Sequence, residues 1–102
     1  MARVTWTEIA KQDHRAVVEW IAGDSVAIAA LWAEKIRAAP DVLERFPMIG
    51  APVEEFDIPG LRELLVGPYR ILYHHENDVC RILHVIHGSR DLRGILDPKN
   101  LQ

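Results

Sequence analysis

The spacing of apolar residues changes near the middle of this chain, and that change constrains the fold more than any other feature. Up to residue 46 the apolar residues recur every three or four positions, as they do along one face of a helix. From residue 61 to residue 87 they lie in short runs rich in β-branched and aromatic residues, separated by turn-forming residues. A helical part followed by a sheet predicts the α+β class.

The first half predicts one strand and two helices. Residues 3–6 suit an opening strand, and the helical period then covers residues 8–22 and residues 26 to about 46. Gly23 ends the first helix, and the short link makes the two helices antiparallel. Pro40 lies on the apolar stripe of the second helix, where its missing N–H is expected to kink or restart that helix.

The second half predicts three strands, at residues 61–66, 69–75 and 79–87, joined by the Gly67-Pro68 turn and by a turn at residues 76–78. Together they form a three-stranded antiparallel meander. Since the helix pair has an apolar face that needs a cover, the meander is expected to provide it. The resulting order is β-α-α-β-β-β, and we expect one domain over residues 1–102.

Alternation along the middle strand separates its side chains into two sets. Tyr69, Ile71 and Tyr73 form the more apolar set, which is expected to contact the helices. Arg70 and His74 then lie on the opposite, outer face. The last strand is apolar in both phases, so it is expected to be covered on both sides, by a partner if not by this chain.

The titratable residues carry no recognisable metal or cofactor motif. His75 and the only cysteine, Cys80, are expected to face each other across a turn, but one Cys with scattered His lacks the ligand spacing of a zinc site. His14 lies on the buried stripe of the first helix, which favours a hydrogen-bonded core histidine. We therefore expect no metal and no cofactor.

Charge and hydropathy exclude several classes of protein. Twelve Lys and Arg against fifteen Asp and Glu give a net charge of -3, which argues against a general nucleic-acid coat and against sequence-specific DNA binding by this chain alone. No run of residues has the length and apolarity of a membrane span. The single cysteine and the lack of a recognisable signal peptide predict a cytoplasmic protein.

Two segments carry a family resemblance, LRELLVGPYRILY at residues 61–73 and VIHGSRDL at residues 85–92. Together with residues 13–22 and the Phe46-Pro47 end of the second helix, they resemble the RelE/ParE toxin superfamily over nearly the whole chain. The sequence departs from that pattern at His14, where the family usually has an aliphatic residue, and at Pro40, in a helix that normally runs unbroken.

The resemblance implies the toxin half of a bacterial type II toxin–antitoxin pair. It implies a cognate antitoxin as partner, and either a homodimer or a toxin–antitoxin hetero-oligomer as the assembly. RelE-type members cleave mRNA in the ribosome, whereas ParE-type members act on DNA gyrase by protein–protein contact. The two branches differ in the residues that they need.

For the nuclease branch, the resemblance places cations at Arg62, Arg70 and Arg90, on the far side of the meander. The second cation of its second strand and its C-terminal tyrosine fall near Leu64 and Leu96, so the groups that move protons are missing. His87 is then the candidate acid or base of a nuclease.

The HGSRDL ending and the missing acid–base pair favour the ParE-like, plasmid-stabilisation branch, with DNA gyrase as the target. The residues expected to contact the target or the antitoxin are Arg70, His74, Arg90 and Asp91. Two alternatives stay open: a ribosome-dependent mRNA endoribonuclease, and a decayed toxin that only binds its antitoxin.

Overall fold

The computed structural model describes residues 1–99 and 101, and it places two helices on one face of a five-stranded sheet. The elements follow one another as β1 (Arg3–Trp6), α1 (Glu8–Ala22), α2 (Val26–Ala38), a 3-10 helix (Ala39–Glu44), β2 (Ala51–Pro52), β3 (Leu61–Val66), β4 (Tyr69–Glu76), β5 (Val79–His87) and a short 3-10 turn (Leu92–Gly94). The predicted order is confirmed, with β2 as an addition.

Each helix begins where a side-chain hydroxyl accepts a hydrogen bond from a backbone N–H of its first turn. Thr7 accepts a hydrogen bond from the Ala10 N–H at the start of α1, and Ser25 caps α2 in the same way. The predicted extent of the second helix to residue 46 is wrong, because α2 ends at Ala38 and the chain continues as a 3-10 helix with Pro40 in its first turn. No helix of the described residues is long and apolar enough to cross a membrane.

The sheet has the strand order β1-β5-β4-β3-β2. Strands β3, β4 and β5 form the predicted antiparallel meander, whereas β1 pairs in parallel with β5 and makes the sheet mixed. Because β1 and β2 take the two edges, the three longest strands lie side by side in the middle.

The turn between β4 and β5 sets their register. Asn77 and Asp78 both have positive φ, at 53° and 60°, which is the geometry of a two-residue type I′ hairpin turn. His75 therefore lies opposite Cys80, as predicted.

Further along β5, the prediction of strict alternation is wrong. Leu72 pairs with His84 and Tyr73 with Ile82, so β5 has one extra residue, Leu83, in a β-bulge. The bulge shifts the phase, and Val85 lies on the helix side together with Ile82.

Two apolar clusters lie on the two faces of the sheet. The inner cluster joins the sheet to the helices and includes the predicted Tyr69, Ile71 and Tyr73. The outer cluster surrounds Leu72 and Ile86 and is closed by this chain's own loop and C-terminal segment, through Val53, Phe56, Ile58, Leu92, Leu96 and Leu101. The middle of the sheet is thus covered on both sides without a partner.

Candidate functional site

Arg70 is held on the outer face of the sheet by two carboxylates. Its Nη1 and Nη2 donate to the Glu55 carboxylate at 2.7 and 2.9 Å, and its Nε and Nη2 donate to Glu63 at 3.0 and 2.8 Å. Both pairs are bidentate, the strongest arrangement for a guanidinium with a carboxylate. Only 9% of Arg70 is exposed.

This pairing sets the charge that Arg70 presents to its surroundings. The hydrogen bonds that Arg70 donates lower the pKa of Glu55, and the acceptance of these bonds by Glu55 and Glu63 raises the pKa of Arg70 further. One cation between two anions leaves a net local charge of about -1. These three side chains therefore offer an incoming phosphate no net electrostatic attraction.

Arg62 lies on the other face of the sheet, contrary to the expectation that it shares the far side with Arg70. Its partner across the β3–β4 ladder is Tyr73, which faces the helices. The Arg62 Nη1 donates to the carbonyls of Met48 and Gly50, at 3.1 and 2.7 Å. Arg62 therefore anchors the loop that follows the 3-10 helix.

Arg90 and His87 lie together in a groove between α1 and the end of β5, which we call the α1–β5 groove. It has a volume of about 610 Å³, and its wall includes Val17, Trp20 and Tyr69. Trp20 is 82% exposed. Arg90 is exposed and makes no side-chain hydrogen bond or ion pair within the described residues.

Two further residues of the α1–β5 groove form an ordered pair. The Asp13 carboxylate accepts from the His84 Nδ1 at 3.0 Å and from the Val85 N–H at 3.1 Å, which ties α1 to the bulged part of β5. His87 uses its Nδ1 to accept from the Ser89 N–H, at 3.2 Å, so its Nε2 carries the proton of the neutral ring.

His74 and Asp91 lie outside the α1–β5 groove. His74 donates from Nε2 to the Pro59 carbonyl at 3.1 Å, and it lies about 13 Å along β4 from Arg70 at the usual strand rise. Asp91 accepts from the Arg93 N–H and pairs with the Arg93 side chain at 3.4 Å. It caps the 3-10 turn instead of pairing with Arg90.

The nuclease candidates are therefore divided among three places. Arg70 lies between Glu55 and Glu63, an arrangement that we call the carboxylate clasp, Arg62 lies beneath the loop, and Arg90 lies with His87 in the α1–β5 groove. Acid–base cleavage of RNA needs a base, an acid and cations around one phosphate. Only Arg90 and His87 share a site. Among residues 1–99 and 101, no three His, Cys, Asp or Glu side chains converge to hold a metal ion.

Several site residues were missed at the level of sequence. Strand alternation places Glu63 on the face of Arg70, so that partner had a signal in the pattern. Glu55 comes from an irregular loop, and the Asp13–His84 pair depends on the bulge. Neither of these had a periodic signal.

Comparison with known proteins identifies the fold and the family. Residues 4–92 match the ParE toxin of type II toxin–antitoxin systems, parDE. The toxin RelE2 of Caulobacter vibrioides is 32% identical over 91 residues, which cover 88% of this chain and 99% of that protein.

Two solved structures share the fold. The chromosomal ParDE toxin–antitoxin system of P. aeruginosa has a TM-score of 0.71 at 20% identity, covering 85% of this chain and 96% of that chain. The RelBE2 toxin–antitoxin complex of Mycobacterium tuberculosis has a TM-score of 0.59 at 25% identity, covering 84% and 96%. With the match over residues 4–92, these findings show that the chain belongs to the ParE toxin family of type II toxin–antitoxin systems.

Proposed function

We propose that this toxin inhibits its target by protein–protein contact and does not cleave RNA. The observation that carries the proposal is the neutralised state of Arg70, whose guanidinium makes four hydrogen bonds to Glu55 and Glu63. A phosphorane binding there would have to displace two bidentate carboxylates. Arg93 is the other cation that lines the pocket around Arg70 in the described part of the chain, and it is itself paired with Asp91.

The shortage of proton-transfer groups supports the same proposal. The one phenol on the helix face near Arg62 is Tyr73, whose hydroxyl is buried and already bonded to the Pro47 carbonyl and the Gly50 N–H. Burial also raises the pKa of Tyr73, which disfavours the phenolate that a base would require. Losing one general acid or base costs about 10²–10⁴-fold in rate.

The target that we propose is DNA gyrase. The names of the similar proteins divide between ParE and RelE, so they do not choose between gyrase and the ribosome. The separation of Arg62, Arg70 and Arg90 supports inhibition by contact, and gyrase is the target in this superfamily for which contact alone is sufficient. The HGSRDL ending at residues 87–92 resembles the ParE branch as well.

A cognate antitoxin is the proposed neutralising partner, and we place it in the α1–β5 groove. Both similar structures are toxin–antitoxin systems. The groove offers an apolar wall with the exposed Trp20 and the guanidinium of Arg90, which has no ion-pair partner among residues 1–99 and 101, and this suits an amphipathic segment that carries carboxylates.

Inducing the chain alone in bacteria tests the proposal. Growth should stop with induction of DNA-damage signalling while ribosome-bound messages stay intact, and co-expression of the antitoxin should restore growth. A ribosome-dependent endoribonuclease serves as the positive control for message cleavage. Site-specific cleavage of messages by this chain would contradict the proposal, and so would unimpaired growth at high expression.

A further inference from the structure

Three apolar side chains project from the loop that follows the 3-10 helix. Phe46, Met48 and Ile49 are 59%, 60% and 56% exposed, and the half-buried Pro47 lies between the first two, so four consecutive residues are apolar. We call residues 46–49 the apolar loop. Scattered apolar residues are normal on a protein surface, but a continuous exposed run usually marks a site of interaction.

The backbone of the apolar loop and of the following Gly50 is held by two side chains of the sheet. The Tyr73 hydroxyl donates to the Pro47 carbonyl at 2.9 Å and accepts from the Gly50 N–H at 3.0 Å. Arg62 donates to the Met48 and Gly50 carbonyls. Two side chains of the sheet thus satisfy four backbone groups of the loop.

Close packing at Gly50 fixes the loop further. A Cβ at this position would lie 2.6 Å from the Glu63 carbonyl oxygen and 2.7 Å from the Tyr73 ring, so only glycine fits. The apolar loop is therefore pre-ordered in the free protein. A pre-ordered surface loses little conformational entropy when it binds, which strengthens binding without added contacts.

Resting on the proposed function, we propose that the apolar loop is the surface by which this toxin binds its target. The loop inserts into an apolar pocket of a folded protein, and carboxylates line the rim of that pocket. The loop projects, so it fits a cavity that already exists in its partner. Two cations lie at its base, Arg45 and Arg62, and Arg45 is exposed and makes no ion pair among the described residues. A carboxylate rim complements them.

The α1–β5 groove provides the contrast. A concave surface suits an extended antitoxin segment that folds as it binds, whereas a rigid projection does not enclose such a segment. The apolar loop and the groove are built from different elements. A target and an antitoxin can accordingly be told apart by substitution.

The test compares two double variants of the full chain in a gyrase supercoiling assay, with antitoxin affinity measured in parallel. Met48→Ser with Ile49→Ser removes the apolar tip and leaves every backbone carbonyl in place. Val26→Ser with Leu31→Ser removes exposed apolar side chains from α2 and serves as the matched control. Circular dichroism confirms that each variant is folded.

The apolar-loop variant should need at least about tenfold more protein for half inhibition, equivalent to about 1.4 kcal/mol, while its affinity for the antitoxin stays within about twofold. The control should inhibit like the wild type. Arg45→Glu should also weaken inhibition, and Arg45→Lys should retain it. Unchanged inhibition by the loop variant overturns the inference, as does a loss confined to antitoxin binding. Failure of the wild type to inhibit gyrase refutes the proposed target instead.

Discussion

The guanidinium of Arg70 lies between Glu55 and Glu63, so replacing it leaves two carboxylates poorly solvated and unpaired. Breaking a buried ion pair by removing one partner costs several kcal/mol. Since these side chains keep some exposure, we expect Arg70→Ala to lower the free energy of unfolding by about 2–4 kcal/mol, measured by urea denaturation. Arg37→Ala, which breaks the exposed Arg37–Glu34 pair, is the control and should change stability little. Equal effects of the two substitutions would contradict the role of the clasp.

The same clasp predicts a pH dependence. The hydrogen bonds from Arg70 lower the pKa of Glu55 in the folded protein, whereas the pKa of a Glu side chain in the unfolded chain is about 4.3. The folded state therefore releases its proton more readily, and the stabilisation is fully present above about pH 4.3 and is lost as the pH falls through the folded pKa. The stability difference between wild type and Glu55→Gln should be constant from pH 7 to 5 and shrink below pH 4. A difference that grows in acid would refute this assignment.

At the level of single residues, alternation in β4 correctly predicts Arg70 on the outer face. The helical period correctly predicts a hydrogen bond for His14, which bonds to the Ala33 carbonyl at 2.9 Å, but this histidine is half-buried and does not lie in the core. Glu55 could not be predicted as a partner of Arg70, because the irregular loop at residues 53–58 has no periodic sequence pattern. The face of Arg62 depends on the register between β3 and β4, which pairs it with Tyr73 and so directs it to the helix side.

Among the elements, the β4–β5 turn offers a stabilising substitution. Asp78 has φ of 60°, a conformation in which an L residue is strained and glycine is not. Asp78→Gly should raise the free energy of unfolding by up to about 1 kcal/mol, and Asp78→Ala should lower it by a similar amount. Thermal denaturation of the three proteins measures both changes. A more stable alanine variant would show that the turn is not type I′.

Helix α1 carries the residue that should matter most to the antitoxin. Trp20 is 82% exposed beside the α1–β5 groove, so its substitution should cost the free toxin little stability. Trp20→Ser should weaken antitoxin binding by about 30-fold or more, as expected for loss of about 2 kcal/mol at a hot spot, and growth arrest should persist. Isothermal titration against the antitoxin measures this. Leu65→Ser, also at an exposed position, is the control, and a similar loss of affinity in that variant would contradict the placement.

The elements themselves were largely predictable because each has a strong local signal. The helical period, Gly23 and the turn at residues 76–78 located α1, β4 and β5. Two features depended on packing between distant parts of the chain and had no such signal: the parallel pairing of β1 with β5, and the bulge at Leu83. Pro40 was expected to kink or restart the second helix. In the structure α2 ends two residues before Pro40, at Ala38, and the chain continues as a 3-10 helix.

At the scale of the whole molecule, the sheet is closed on both faces by this chain, and the surfaces left for partners lie at its periphery. The α1–β5 groove and the apolar loop are separate, and the arginines that a nuclease would gather are divided between the two faces of the sheet. This arrangement supports the proposal that the toxin acts by binding other proteins.

The most direct measurement is therefore made on the purified chain, titrated into a gyrase supercoiling reaction and, in parallel, into ribosomes programmed with a defined message. We expect supercoiling to be inhibited in proportion to the toxin, added antitoxin to reverse the inhibition, and the message to stay whole. Cleavage of the message at defined sites, with supercoiling unaffected, would contradict this expectation.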